Sequence, residues 1–407
     1  MDRPARLLSV DLVRGADVWL MLFVNEMAGV RGTPAFLLHV PASADGMTIT
    51  DVVFPAFLFV TGMAIPLALG ARLARGETVA GAWRHVLARA ASLVVIGVFM
   101  VNDEHASDAG PVPRPLWTLL MTLAVALVWM APATGEKPRR RRALALAGIV
   151  LLVALALLYR ADGGSGLVQM RPRWWGILGL IGWAYLVSAC AWLVARDRPG
   201  LLAGGVVLLY LLALVDEADA LGPLLAVRPA MHVGRVLAAH GALTLSGTVL
   251  AAALLVHRRR GDAAARFVPQ AVAYSVALGV AGVLLHALRD VHPAFWINKT
   301  RATVAWCLLS AAWTAAAWAI AYHVADVRGW RRWPRLLVAA GENALTIYLL
   351  APFLLAAFAA VELALGTNPY RALGGSLALG ALRAIAFACL VVWLAEWLRG
   401  RGVRLRV

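Results

Sequence analysis

Long apolar runs, separated by short polar connections, repeat along the chain from residue 8 to residue 398. A helix rises about 1.5 Å per residue and the hydrocarbon core of a bilayer is about 30 Å thick, so a run of roughly 20 apolar residues is long enough to cross it. The pattern predicts crossings at 8–28, 49–71, 86–102, 115–132, 143–159, 174–195, 201–215, 236–256, 268–288, 302–324, 336–360 and 377–398. The implied fold class is all-α, a polytopic transmembrane helical bundle of about 11–12 crossings. The connections are too short to hold a separate soluble domain, so residues 1–407 read as one integral-membrane domain.

Composition agrees. The chain is 62% hydrophobic and 15% charged, with a mean hydropathy of +0.77, so most of its length belongs outside water. A net charge of +16 would ordinarily raise nucleic acid as a partner, because clustered cations neutralise phosphates. Placement argues against nucleic acid. With alternate connections assigned to two sides, roughly 26 of the 38 Lys and Arg fall on the side of the N-terminus, with "KPRRRR" at 137–142, "RRR" at 258–260, "RGWRRWPR" at 328–335 and the tail "RGRGVRLR" as the richest stretches. Basic connections mark the cytoplasmic face, so both termini are expected there, with anionic membrane lipids as the partner of the charge.

Metal chemistry loses support. Cys190, Cys307 and Cys389 sit singly in apolar runs, and no His/Cys set has zinc spacing, so no metal is expected. The opening "MDRPARLLSVDLVRG" interrupts its apolar run with Asp11 and Arg14, so the first crossing is expected to stay attached as an anchor.

Chemistry is concentrated in the connections opposite the termini. His39 lies in "LLHVPASADG", between the first two crossings; Pro41 holds its neighbours extended, and Asp51 follows at a helix start in "MTITDVVFP". Asp51 there is equally a carboxylate placed at the positive end of a helix and a partner for the imidazole. Asn25 and Glu26 end the preceding crossing, at a depth where polar groups are costly unless paired or wet. Histidine for proton transfer, an amide for a carbonyl oxygen and a carboxylate to fix the imidazole tautomer are the parts acyl transfer needs. His39, Asn25 and Asp51 are the candidate catalytic set; His232, His240 and His292 read as structural or interfacial.

"SVDLVRGADVWLMLFVN", the loop histidine and "GMTITDVVFPAFLFVTGMAIPLAL" together resemble the heparan-alpha-glucosaminide N-acetyltransferase-like membrane proteins, most closely the bacterial branch labelled DUF5009. "RWWGILGLIGWAYLV", "FWINKTRATVAWCLLSAAW" and "GENALTIYLL" extend the resemblance along the chain. It implies a membrane acyltransferase that moves an acetyl group from cytoplasmic acetyl-CoA to a carbohydrate-type acceptor across the membrane, an amino sugar or a sugar hydroxyl. It implies His39 as base or acyl carrier with Asn25 beside it, and a bacterial inner membrane; it leaves room for a homodimer. Asp11, Arg14, Asn298, Lys299 and Asn343 match motif positions and are the expected binders of the acetyl-CoA co-substrate. One departure bears on the acceptor: "HVPASADG" has no tryptophan after the histidine and reaches its glycine later than the aminosugar enzymes do. The competing reading is a multi-pass transporter or flippase of a sugar- or lipid-linked substrate, since polar groups within many crossings also describe a transporter.

Overall fold

The structure is a computed structural model that describes residues 7–107, 110–131, 137–161, 169–220, 222–330, 332 and 335–405. Met1–Arg6, together with Arg331, Trp333 and Pro334 of the basic stretch, lie outside the described residues. The helices are α1 (Leu8–Met27), α2 (Ile49–Ala74), α3 (Val79–Asp103), α4 (Arg114–Trp129), α5 (Pro138–Leu158), α6 (Gly176–Ala195), α7 (Pro199–Glu217), α8 (Gly222–Val227), α9 (His240–Arg259), α10 (Val268–His286), α11 (Val304–Tyr322), α12 (Arg335–Glu342), α13 (Ala344–Leu365), α14 (Pro369–Ala372) and α15 (Leu377–Gly400). Among the described residues ten helical segments are long and apolar enough to cross a membrane. The protein is a polytopic, all-helical integral membrane protein.

Every predicted crossing contains a helix, but α1, whose run carries Asp11, Arg14, Asp17 and Glu26, is not among the ten, and three further differences are informative. Helix α4 has only 16 residues, a rise of roughly 24 Å, and falls short of a full crossing by length. Helix α3 starts seven residues before its predicted start, because Thr78 Oγ1 accepts the Gly81 N–H at 3.1 Å and supplies a cap ahead of the apolar run. The run 336–360 is two helices, α12 and α13, interrupted at Asn343, which leaves helical backbone geometry at φ −117° and ψ 19°.

The chain forms two compact units: residues 1–17, 34–91 and 180–341, and residues 18–33, 92–179 and 342–407. In the first, α2 and α9 cross at glycine contacts. A Cβ on Gly62 would lie 1.7 Å from the Thr244 carbonyl oxygen, and one on Gly247 would lie 1.9 Å from that of Phe59. The Thr248 hydroxyl donates to the Gly62 carbonyl at 2.9 Å across the same crossing. Small residues that let two backbones touch are how membrane helices associate where lipid tails remove the hydrophobic drive. Helix α11 joins this pair by the Trp306 indole N–H, which donates to the Asp51 backbone carbonyl at 3.2 Å, and α10 packs on α11 with Ser275 donating to the Ala312 carbonyl at 2.8 Å. Fully buried Trp306, Trp318, Tyr322, Phe267 and Phe59 fill the spaces between.

In the second unit α4 packs on α5, where the Trp117 indole donates to the Leu155 carbonyl, and on α13. Fully buried Asn102 clasps the chain before α6: its amide donates to the Arg171 carbonyl at 2.8 Å and its oxygen accepts the Arg171 N–H at 3.3 Å. Glu26, in the same unit, pairs with Arg383 at 3.6 Å and accepts the Tyr370 hydroxyl, so its depth is balanced by partners.

Candidate active site

The first unit carries the cluster around His39. Helix α2 begins at Thr48, whose N–H donates to Asp51 Oδ2 at 3.0 Å, the reach-back of an acidic residue in a first turn. That oxygen also accepts the Val40 N–H at 3.2 Å and the Thr48 hydroxyl at 3.2 Å. Asp51 Oδ1 lies 2.7 Å from His39 Nδ1. The two sequence readings of Asp51, cap and imidazole partner, therefore hold together, one on each oxygen. Asp51 is 1% exposed, whereas the His39 side chain is 47% exposed. A buried acceptor-only carboxylate on Nδ1 fixes a proton there and leaves Nε2 with its lone pair.

A second loop, 287–303, closes on this one. Asn298, 2% exposed, donates to the carbonyls of Ala42 at 2.8 Å and Ala44 at 3.0 Å, and its oxygen accepts the Arg301 N–H at 3.0 Å. Asp45 accepts the Ile297 N–H at 2.7 Å and meets His286 Nε2 at 2.9 Å, while the Gly46 N–H returns to the Ile297 carbonyl at 2.8 Å. These bonds place Lys299 Nζ 3.0 Å from His39 Nδ1, 3.1 Å from Nε2 and 3.9 Å from Asp51 Oδ1. Burial holds the Lys299 ammonium below the ordinary lysine range, against the opposing pull of the Asp51 charge.

Next to Arg301 lies an ion-pair group that the sequence reading did not assign to the site. Glu217 Oε1 accepts Arg301 Nε at 2.5 Å, and Arg235 Nε donates to Glu217 Oε2 at 3.1 Å. Asp216 holds Arg228 at 3.0 Å, faces His232 Nδ1 at 2.9 Å and accepts the Gly234 N–H at 2.7 Å. Burial pulls the His232 pKa down. Alternating acidic and basic residues in two connections were the available signal, but the pairing between connections 84 residues apart was not readable from spacing.

The other expected site residues take no part in these hydrogen bonds among the described residues. Asn25 belongs to the second unit and is exposed near the end of α1; the hydrogen bonds that build the His39 cluster come from the first unit alone. Arg14 Nη1 reaches Asp11 Oδ1 at 3.5 Å and the Gly341 carbonyl at 3.4 Å. Here α1 and α12 touch at glycines, with a Cβ on Gly15 falling 1.8 Å from the Leu337 carbonyl oxygen. Asn343 donates to Glu396 at 3.0 Å, beside the Glu396–Arg399 pair, in the second unit. Of the five expected co-substrate binders, Asn298 and Lys299 thus join His39, Asp11 and Arg14 form a separate contact in the same unit, and Asn343 lies in the other. His240 packs edge-on against Phe54 and Trp306, and His292 accepts the Ala294 N–H as a cap.

The model of the family DUF5009, described as a domain of unknown function, matches residues 6–227. The chain belongs to the DUF5009 family. The matched residues include His39, Asp51 and Glu217 and stop short of Asn298 and Lys299. Among curated proteins, this DUF5009 member is similar to heparan-alpha-glucosaminide N-acetyltransferase of Homo sapiens, 36% identical over 102 residues, which is 25% of this chain and 15% of the human protein. The Mus musculus protein of the same name is 35% identical over 100 residues, covering 25% of this chain and 14% of its own length. The similarity thus spans a small part of those longer relatives.

Proposed function

We propose that this DUF5009 protein is a membrane acetyltransferase that takes an acetyl group from acetyl-CoA and delivers it to the amine or hydroxyl of a carbohydrate-type acceptor. The observation that carries the reading is the Asp51–His39 contact at 2.7 Å, which leaves Nε2 of an exposed imidazole as an available base. Asp51 acts as a positioning residue: it selects the tautomer and stabilises the imidazolium that forms when Nε2 takes the acceptor's proton. The partial likeness to two N-acetyltransferases supports the same chemistry.

The residues present suit the co-substrate. Coenzyme A supplies a thioester, an activated acyl group on a long arm, and carries phosphates that need cations. Arg258 and Arg259 end α9, and Arg328 follows α11, all in the first unit and all on the side expected to be cytoplasmic. Lys299, beside Nε2, offers a donor to a carbonyl oxygen that gains charge during transfer. Both termini on the cytoplasmic side and His39 on the opposite side complete the proposed topology, in a bacterial inner membrane.

The decisive test incubates purified full-length protein with radiolabelled acetyl-CoA and a panel of amino and neutral sugars, beside His39→Ala. Label is expected on at least one sugar with the wild type and on none with the variant. Equal transfer by both proteins would remove His39 from the reaction.

A further inference from the structure

The chain contains 36 arginines and two lysines, Lys137 and Lys299. A protein that uses arginine at nearly every cationic position sets one of its two side-chain amines on the His39 ring, 3.1 Å from Nε2. If charge alone were needed there, arginine would supply it with more donors. The guanidinium, however, stays protonated and is not a nucleophile, whereas an ammonium can lose its proton and attack a carbonyl. What lysine adds at position 299 is amine chemistry.

The geometry suits that chemistry. Nδ1 is committed to Asp51, so Nε2 is the ring nitrogen able to accept a proton, and a general base works at heavy-atom distances of about 2.6–3.2 Å. Lys299 Nζ lies within that distance, 3.1 Å from Nε2 and 3.0 Å from Nδ1, so it rests against the ring between the two nitrogens, and a small turn of the lysine side chain brings it into line with the Nε2 lone pair. Its side chain is 33% exposed, and the loop that carries it is held by Asn298 and Asp45, so the amine is presented by a fixed backbone. Partial burial also favours the neutral amine.

We propose that Lys299 is itself an acyl acceptor of this site, acetylated by its own His39 when acetyl-CoA is present and no external acceptor is. The inference rests on the acetyltransferase reading above. Lys299 first releases one proton to solvent. The Nζ lone pair then bonds to the acetyl carbonyl carbon as the carbon–sulfur bond breaks, and that electron pair leaves on the coenzyme A sulfur. The second amine proton passes to His39 Nε2 and from there to the thiolate, giving N-acetyl-lysine and free coenzyme A. An amide has no charge and is a poor acyl donor, so the mark persists, removes the ammonium beside Asp51 and leaves an acetyl group against the imidazole. Self-acetylation of this kind is a brake on a site charged with donor and starved of acceptor.

The test uses full-length wild type and His39→Gln, each incubated with deuterated acetyl-CoA without sugar and mapped by peptide mass spectrometry. Lys137 is the internal reference: it is exposed, so uncatalysed acetylation favours it over Lys299. Label on Lys299 is expected to exceed that on Lys137 by on the order of a hundredfold, the low end of what general-base catalysis contributes, and to fall to the reference level in His39→Gln. Label on Lys299 no greater than on Lys137, or equal in wild type and variant, overturns the proposal. The wild-type ratio needs no variant to fold. Release of labelled acetate or labelled sugar by the same preparation is measured in parallel. Release with Lys299 unmarked defeats this inference alone, whereas no release and no mark defeats the acetyltransferase reading with it.

Discussion

Asp51 grips His39 Nδ1 at 2.7 Å with one carboxylate oxygen and the first turn of α2 with the other. A side chain that starts a membrane helix thereby also sets the tautomer of a loop imidazole twelve residues earlier. Replacing it with asparagine keeps the shape but lets the amide donate to the ring and favours the wrong tautomer. Asp51→Asn is therefore expected to lower acetyl transfer by about 10²–10⁴-fold, the range assigned to general acid–base catalysis. The thermal midpoint should fall as well, because weakening a helix start costs about 1 kcal/mol. An initial-rate assay with a melting curve on the same preparation reads both.

Lys299 provides a pH signature. Its pKa is lowered by burial, so the folded protein gives up this proton at a lower pH than the unfolded chain does. Between the two values the unfolded chain binds more protons, so stability rises with pH through that window, and below it the protein bears the full cost of a half-buried ammonium. Labelling of Lys299 with an amine-reactive reagent should begin at a lower pH than that of a free lysine peptide in the same tube. Identical titration curves would contradict the burial argument.

Asn298 laces the two loops by donating to Ala42 and Ala44 and accepting from Arg301. Aspartate at this position could still accept the Arg301 N–H but could not donate to the two carbonyls. Asn298→Asp is expected to be at least as damaging as Asn298→Ala, each costing about 1–3 kcal/mol for the buried groups left unpaired. Thermal unfolding ranks the two variants. A harmless Asn298→Asp would mean the carbonyl bonds contribute nothing.

The crossing of α2 and α9 has no room for a methyl group at Gly62 or Gly247. Gly62→Ala or Gly247→Ala must push two backbones apart, and overpacking of this kind costs typically about 1–3 kcal/mol and here exceeds it, because the clash is with carbonyl oxygens and no side chain can swing aside. Lower yield of monodisperse protein in detergent is the expected readout. Alanine at Gly204, which meets nothing within 4 Å, is the control that should behave as wild type.

The helices were legible because hydropathy and helical rise are local: a run of apolar residues must find lipid or a core wherever it lies, and each predicted crossing contains a helix. Boundaries and breaks were less legible. The start of α3 depended on the Thr78 cap, and the break between α12 and α13 falls at Asn343, whose side chain bonds Glu396. The candidate site divided in the same way. His39 and Asp51 could be paired from sequence, because a short loop ending at a helix start confines them to one neighbourhood. The cost of Glu26 at its depth is legible in the sequence, but the partners that balance it, Arg383 and Tyr370, lie more than 340 residues away.

Chain order alone determined that this is a many-helix membrane protein with an imidazole and a carboxylate at the entrance to its second long helix. The tertiary structure decided that Lys299 reaches that imidazole across a separation of 260 residues, and that Asn298 holds the two loops in register. The physical reason is one of range. Helix formation is settled within a few turns, whereas the meeting of two loops depends on how α2, α9 and α11 pack, and that packing is fixed by glycines, hydroxyls and one tryptophan whose contacts no local pattern records.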